Sequence, residues 1–162
     1  MAIKSFICMA LFCLIATTAS AEAFSFTGTF QTDNDVQLFS FTIGADSTVT
    51  FLTLSYAGGT NAAHTVIPAG GFDPLLTLFD GSGDYLGQYN DGLVGQVGSG
   101  PDGTLDSYSS QLLAAGTYII ALTESPNQSA DSTTLASGFV GGGPFLSSAA
   151  KRSVLSARRT SS

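Results

Sequence analysis

The chain has 162 residues and a formal net charge of -7; it is 44% apolar but only 10% charged. Its Lys and Arg residues stand at Lys4, Lys151, Arg152, Arg158 and Arg159, so the stretch from Phe24 to Ala150 carries all but one of the 12 acidic residues and no basic one. Such a stretch offers phosphate groups no cations, which excludes nucleic acid and anionic membrane surfaces as partners.

At the N-terminus, Lys4 precedes an apolar run from Phe6 to Ala16, and small residues follow at Ala19, Ala21 and Ala23. A charged start, a short apolar run and an Ala-x-Ala site describe a secretory signal peptide over residues 1–23, cleaved after Ala21 or Ala23. The run is too short to remain as a membrane span. Cys8 and Cys13 both lie inside it, so the mature chain has no cysteine and must be stable outside the cell without disulfides.

From Phe24 the pattern alternates with a period of two. FSFTGTF and VQLFSFTI set Phe24, Phe26, Phe39, Phe41 and Ile43 at even spacing, and STVTFLTLSY, PLLTLF, DYLGQY, LDSYSSQL and TYIIALT continue the series between Gly, Asn, Asp and Pro clusters. Seven short strands with one buried face each predict an all-β fold, an antiparallel β-sandwich of jelly-roll type over residues 24–125. SQLLAAG is the nearest approach to a helix and is too short to stand alone. Residues 126–162, rich in Ser, Gly and Ala with isolated apolar positions, read as a flexible tail.

The bends are acidic. FDGSGDY brings Asp80, YNDG brings Asn90 and Asp91, and GPDGTLDS brings Asp102 and Asp106. Asp and Asn belong in turns because their side chains accept hydrogen bonds from local amides. The alternative is a Ca²⁺ site, built from the side chains of Asp80, Asn90, Asp91, Asp102 and Asp106 together with loop carbonyls, which would offset the repulsion among carboxylates that have no basic partner. The spacing is not that of an EF-hand.

Catalytic patterns are sparse. His64 is the single histidine, in the loop AGGTNAAHTVIPAGG, and no Ser stands in a nucleophile elbow. One His without Cys suits zinc poorly. Paired carboxylates leave room for a glycosidase-like hydrolase working through an Asp pair.

The order DNDVQLFSFTI, STVTF, FDPLLTLFDGSGDYLGQYND and DSYSSQLLAAGTYIIAL resembles the bacterial pre-peptidase C-terminal domain, over about Phe24 to Leu122. It is similar in particular to a group of secreted proteins related to that domain, many with a PEP-type C-terminal sorting signal. The elements that carry the likeness are Asp35 with Phe39 and Phe41, Phe72-Asp73-Pro74 leading to Leu78 and Asp80, and Ala115-Gly116-Thr117-Tyr118. The resemblance implies a non-catalytic, exported jelly-roll module, in some relatives bound to calcium or to polymers. The sequence departs from the group at its end, where neither a PEP motif nor an apolar span precedes KRSVLSARR. Together these features point to an exported module, secreted or periplasmic, with a binding or structural role toward an extracellular polymer or surface protein.

Overall fold

The computed structural model describes residues 22–92, 105–141 and 151–161. Its strands are β1 (Glu22–Phe30), β2 (Gln37–Ile43), β3 (Ser47–Thr53), β4 (Gly59–Thr60), β5 (Val66–Ile67), β6 (Pro74–Asp80), β7 (Tyr85–Tyr89), β8 (Tyr108–Leu113), β9 (Gly116–Glu124) and β10 (Lys151–Ser161). Each of the seven runs read as strands coincides with one, to within a few residues at its ends.

The eight long strands form two four-stranded antiparallel sheets, in the orders β1-β10-β3-β8 and β2-β9-β6-β7. Counted along the chain, the first long strand pairs with the last, the second with the seventh, the third with the sixth and the fourth with the fifth. That folding of a long hairpin onto itself is the jelly roll, as the alternation predicted.

The core lies between the sheets. β3 shows the alternation most clearly: Ser47, Val49, Phe51 and Thr53 are buried and the residues between them are not. Facing it, β9 and β6 supply Tyr118, Ile120, Leu122, Leu76 and Leu78. On one open side the edge strands β1 and β2 are joined by aromatic contacts, with Phe26 stacked on Phe39 at 4.5 Å and Phe24 6.3 Å from Phe41. Phe41 continues inward to Phe51 and Tyr118, at 5.4 and 5.6 Å. Ring pairs at these spacings add about 0.5–1.5 kcal/mol each beyond the area they bury.

Two features depart from the sequence reading. The stretch around His64 folds as the small β4–β5 ribbon over the outer face of the first sheet, where Ile67 packs with Leu54 and Val154. Gly58 makes this approach feasible, since at its φ of 71° a side-chain carbon would lie 2.4 Å from the Ile67 carbonyl oxygen.

The second departure is the tail, and it is a correction. Residues 126–141 hydrogen-bond to the β6–β7 hairpin, through Tyr85 N–H to the Thr133 carbonyl and Leu135 N–H to the Gly83 carbonyl, both at 2.8 Å. Residues 151–161 form β10, inserted between β1 and β3. Composition hid this strand because both its faces are covered: Leu155 and Ala157 join the main core while Val154 and Ser156 are buried beneath the β4–β5 ribbon. A strand buried on both sides shows no period-two alternation. Asn127 opens the sequence Asn127-Gln128-Ser129, which has the form of an N-glycosylation acceptor, but it is 1% exposed and the folded chain does not present it.

Without β10, β1 has no sheet partner and β3 loses one. A chain ending at residue 125, the boundary drawn from composition, is expected to show no cooperative melt by circular dichroism, whereas the full chain melts in one step. A truncated chain melting within a few degrees of the full one would contradict the role assigned to β10.

Candidate functional site

The acidic residues separate into two ends of the sandwich. Asp80 closes β6 at the end where Tyr118 pairs with it, and its carboxylate accepts N–H bonds from Ser82 and Asp84 at 2.8 and 2.9 Å. Asp73 precedes β6 at the other end, beside Ser125, whose N–H donates to the Asp73 carbonyl. A seven-residue strand is roughly 20 Å long, so Asp80 cannot share an ion with residues at the Asp73 end. Asn90 and Asp91 follow β7 at that end, where the Gly92 N–H reaches the Asp106 carbonyl at 2.7 Å. Asp102 lies outside the described residues. The expected five-residue grouping is therefore corrected: Asn90, Asp91 and Asp106 come together, Asp80 stands apart, and Asp73 and Glu124 join instead.

Asp106 is fully buried, and its carboxylate is already engaged. Oδ1 accepts from Thr53 Oγ1 at 2.8 Å, Ser55 N–H at 2.8 Å and Tyr56 N–H at 3.2 Å, while Oδ2 accepts from Ala57 N–H at 2.8 Å. These donors hold the chain as it leaves β3. The next residue ties the sheets together: the Ser107 hydroxyl lies 2.6 Å from the Pro74 carbonyl and 2.9 Å from the Tyr89 carbonyl. Asp106 is thus a structural carboxylate, and its oxygens are poorly placed to hold a metal.

Asp73 is different. Burial, followed by the nearby carboxylates of Asp91, Asp106 and Glu124, raises its pKa to about 6, and its Oδ1 is shut from solvent without a hydrogen-bond partner. Among the described residues, no three His, Asp or Glu side chains are placed to share an ion. Elsewhere the acids are settled by neighbours. The carboxyl of Asp35 is lowered chiefly by the Thr32 hydroxyl, and that of Asp131 to about 2 by the side chains of Ser137 and Thr133.

Two concave surfaces lie away from these acids. A cleft of ≈ 210 Å³ opens between β1 and β2, walled by Phe24, Phe26, Phe41, Ile43 and Val49, with Glu22 and Arg159 at its mouth. The strand register explains the charge there. Glu22, Arg159 and Val49 are aligned across β1, β10 and β3, two residues along from Phe24, Ala157 and Phe51, so Arg159 follows Leu155 and Ala157 on the face turned toward the other sheet. A second hollow, of ≈ 420 Å³, lies beneath the β4–β5 ribbon and includes His64, Asn61, Ser156 and Arg158. Sequence reasoning found Phe24, Phe26 and Phe41 as core and placed Arg159 in the tail; the cleft between them becomes visible only once β10 is seated.

No protein-family model matches the chain, and no curated protein matches it. Among solved structures, it is similar to PliG of Aeromonas hydrophila, a periplasmic inhibitor of g-type lysozyme, at 15% identity and a TM-score of 0.41, with 90% of each chain covered. A likeness of that degree says nothing of what this chain binds.

Two measurements follow from the acidic end. Asp106→Asn sets an amide donor against the N–H groups of residues 55–57, and the loss is expected to exceed about 3 kcal/mol, a fall in Tm of roughly 10 °C. Asp73 acts with the opposite sign. Because its folded pKa is raised, it contributes stability that is complete below about pH 4 and is lost as the pH rises through about 6. Thermal melts between pH 4.5 and 7.5 should show that decline, and Asp73→Asn, neutral throughout, should flatten it. Asp35 and Asp131, with lowered values, act only below this window.

Proposed function

We propose that the protein is an exported, non-catalytic β-sandwich module with a binding or structural role at the cell exterior. The observation that carries this reading is the position of β1. It begins at Glu22, immediately after Ala19-Ser20-Ala21, so cleavage at the first Ala-x-Ala site releases every described strand intact. Cleavage after Ala23 would remove Glu22, which pairs with Arg159 at 3.3 Å. The likeness to the pre-peptidase C-terminal group and its secreted relatives belongs to the same proposal, as does an extracellular polymer or surface protein as partner. Among the described residues no helix is long and apolar enough to cross a membrane.

Mass spectrometry of protein recovered from the periplasm or medium is expected to find Glu22 at the N-terminus. An exported chain that retains Met1 would overturn the reading.

Calcium stabilisation is the finer part of the proposal. Asp73 and Asp91 suit a cation, since a buried, unpartnered carboxylate oxygen and adjacent negative charge are what Ca²⁺ relieves; Asp106 and Asp80 do not. A melt in millimolar calcium against EDTA, at constant ionic strength, should rise by several degrees and lose that rise in Asp91→Asn but not in Asp80→Asn. A shift under about one degree, small against the several degrees that a bound ion confers, returns these residues to turn chemistry and self-repulsion.

A hydrolase using an Asp pair is the second reading, favoured by the raised Asp73 beside Asp91. It requires turnover of a defined polymer that disappears in Asp73→Asn, whereas a module shows binding without turnover.

A further inference from the structure

A charge turned toward the interior of a sandwich is costly unless it is paired and hydrogen-bonded. Arg159 meets this condition incompletely. One nitrogen, Nη2, reaches Glu22 Oε2 at 3.3 Å, and that glutamate side chain is 66% exposed. The Nε–H of Arg159 is closed off from solvent and has no acceptor. A guanidinium presents five donors in a planar fork that matches a carboxylate through two parallel bonds, and here a long contact to one flexible side chain stands in for that match.

The walls beside it are apolar: the rings of Phe24, Phe26 and Phe41, with Ile43 and Val49. The space of ≈ 210 Å³ exceeds the roughly 150 Å³ of an apolar cavity known to hold benzene. An apolar body of phenyl size therefore fits between β1 and β2, and an acidic group attached to it would lie next to Arg159.

We propose that this cleft is a binding site for a small carboxylate with a phenyl-sized apolar body. The ring packs against Phe24 and Phe41, and the carboxylate takes the guanidinium of Arg159 from Glu22. Glu22 is thus a competitor built into the mouth of the site, holding the cation when no ligand is present. The inference rests on the binding role proposed above but not on export, so a failed titration leaves the N-terminal result standing, and the reverse also holds.

The test is a titration of the purified protein with 3-phenylpropanoate, followed by the NMR signals of the phenylalanine rings. Perturbation confined to Phe24, Phe26, Phe39 and Phe41 is expected, with 3-phenylpropanol binding at least tenfold more weakly. Arg159→Gln should cost the acid at least tenfold and leave the alcohol unchanged. Glu22→Gln, at an exposed side chain, should tighten the acid severalfold by removing its competitor. A purely structural ion pair predicts no such gain. Equal affinity for acid and alcohol, no response of these rings at millimolar probe, or unchanged affinity in Glu22→Gln would each overturn the assignment, the last even if Arg159→Gln fails to fold.

Discussion

One end of this sandwich is held by a buried carboxylate, Asp106, and by the Ser107 hydroxyl beside it, which reaches across to the other sheet. The buried carboxylate of Asp106 is met by three backbone N–H groups and one hydroxyl. Hydrogen bonds to an ionised group are about twice as strong as neutral ones, and these four determine how the chain leaves β3. Thr53 serves both sides, donating to Asp106 and accepting from the Ser107 N–H, while Ser107 reaches the carbonyls at the start of β6 and the end of β7. The path from one sheet to the other runs through adjacent residues.

The same chemistry recurs across the molecule. Asp35 accepts from the amides of Gln31 and Thr32, Asp80 from those of Ser82 and Asp84, Asp46 from that of Ala115, and Asp131 from that of Thr133. A chain with no Lys or Arg across its central stretch thus uses backbone N–H groups as counter-charges. Asp73 departs from this pattern, with an oxygen that finds no donor and neighbours that repel it.

Much of the fold was legible because half-buried strands advertise themselves. Val49, Phe51 and Thr53 are buried between half-buried neighbours, and on β2 Phe39, Phe41 and Ile43 alternate with exposed ones. β10 was not legible, since Val154 to Ala157 are buried in succession and the surrounding Ser and Arg residues look like tail. The acidic site was half legible. Asn90, Asp91 and Asp106 were identified from composition, but Asp80 is separated from them by the length of β6, which is a matter of topology. Asp106 finds its partners about 50 residues away, so no local turn rule could reveal its role. Asp73 was read only as part of the Phe72-Asp73-Pro74 run, because the carboxylates that act on it, Asp91, Asp106 and Glu124, are brought beside it by the fold.

The place of β10 has a consequence in time. Ser25 on β1 donates to the carbonyl of Leu155 across 130 residues of chain. The first strand to emerge during synthesis therefore waits for the last of those described before its sheet can close. Closing so long a loop is slow, and until then β1 and β3 present unpaired edges to other chains. Under the export proposed above, the same delay would keep the chain unfolded until β10 is made, and it defines the interval during which a chaperone for unfolded chains would hold it.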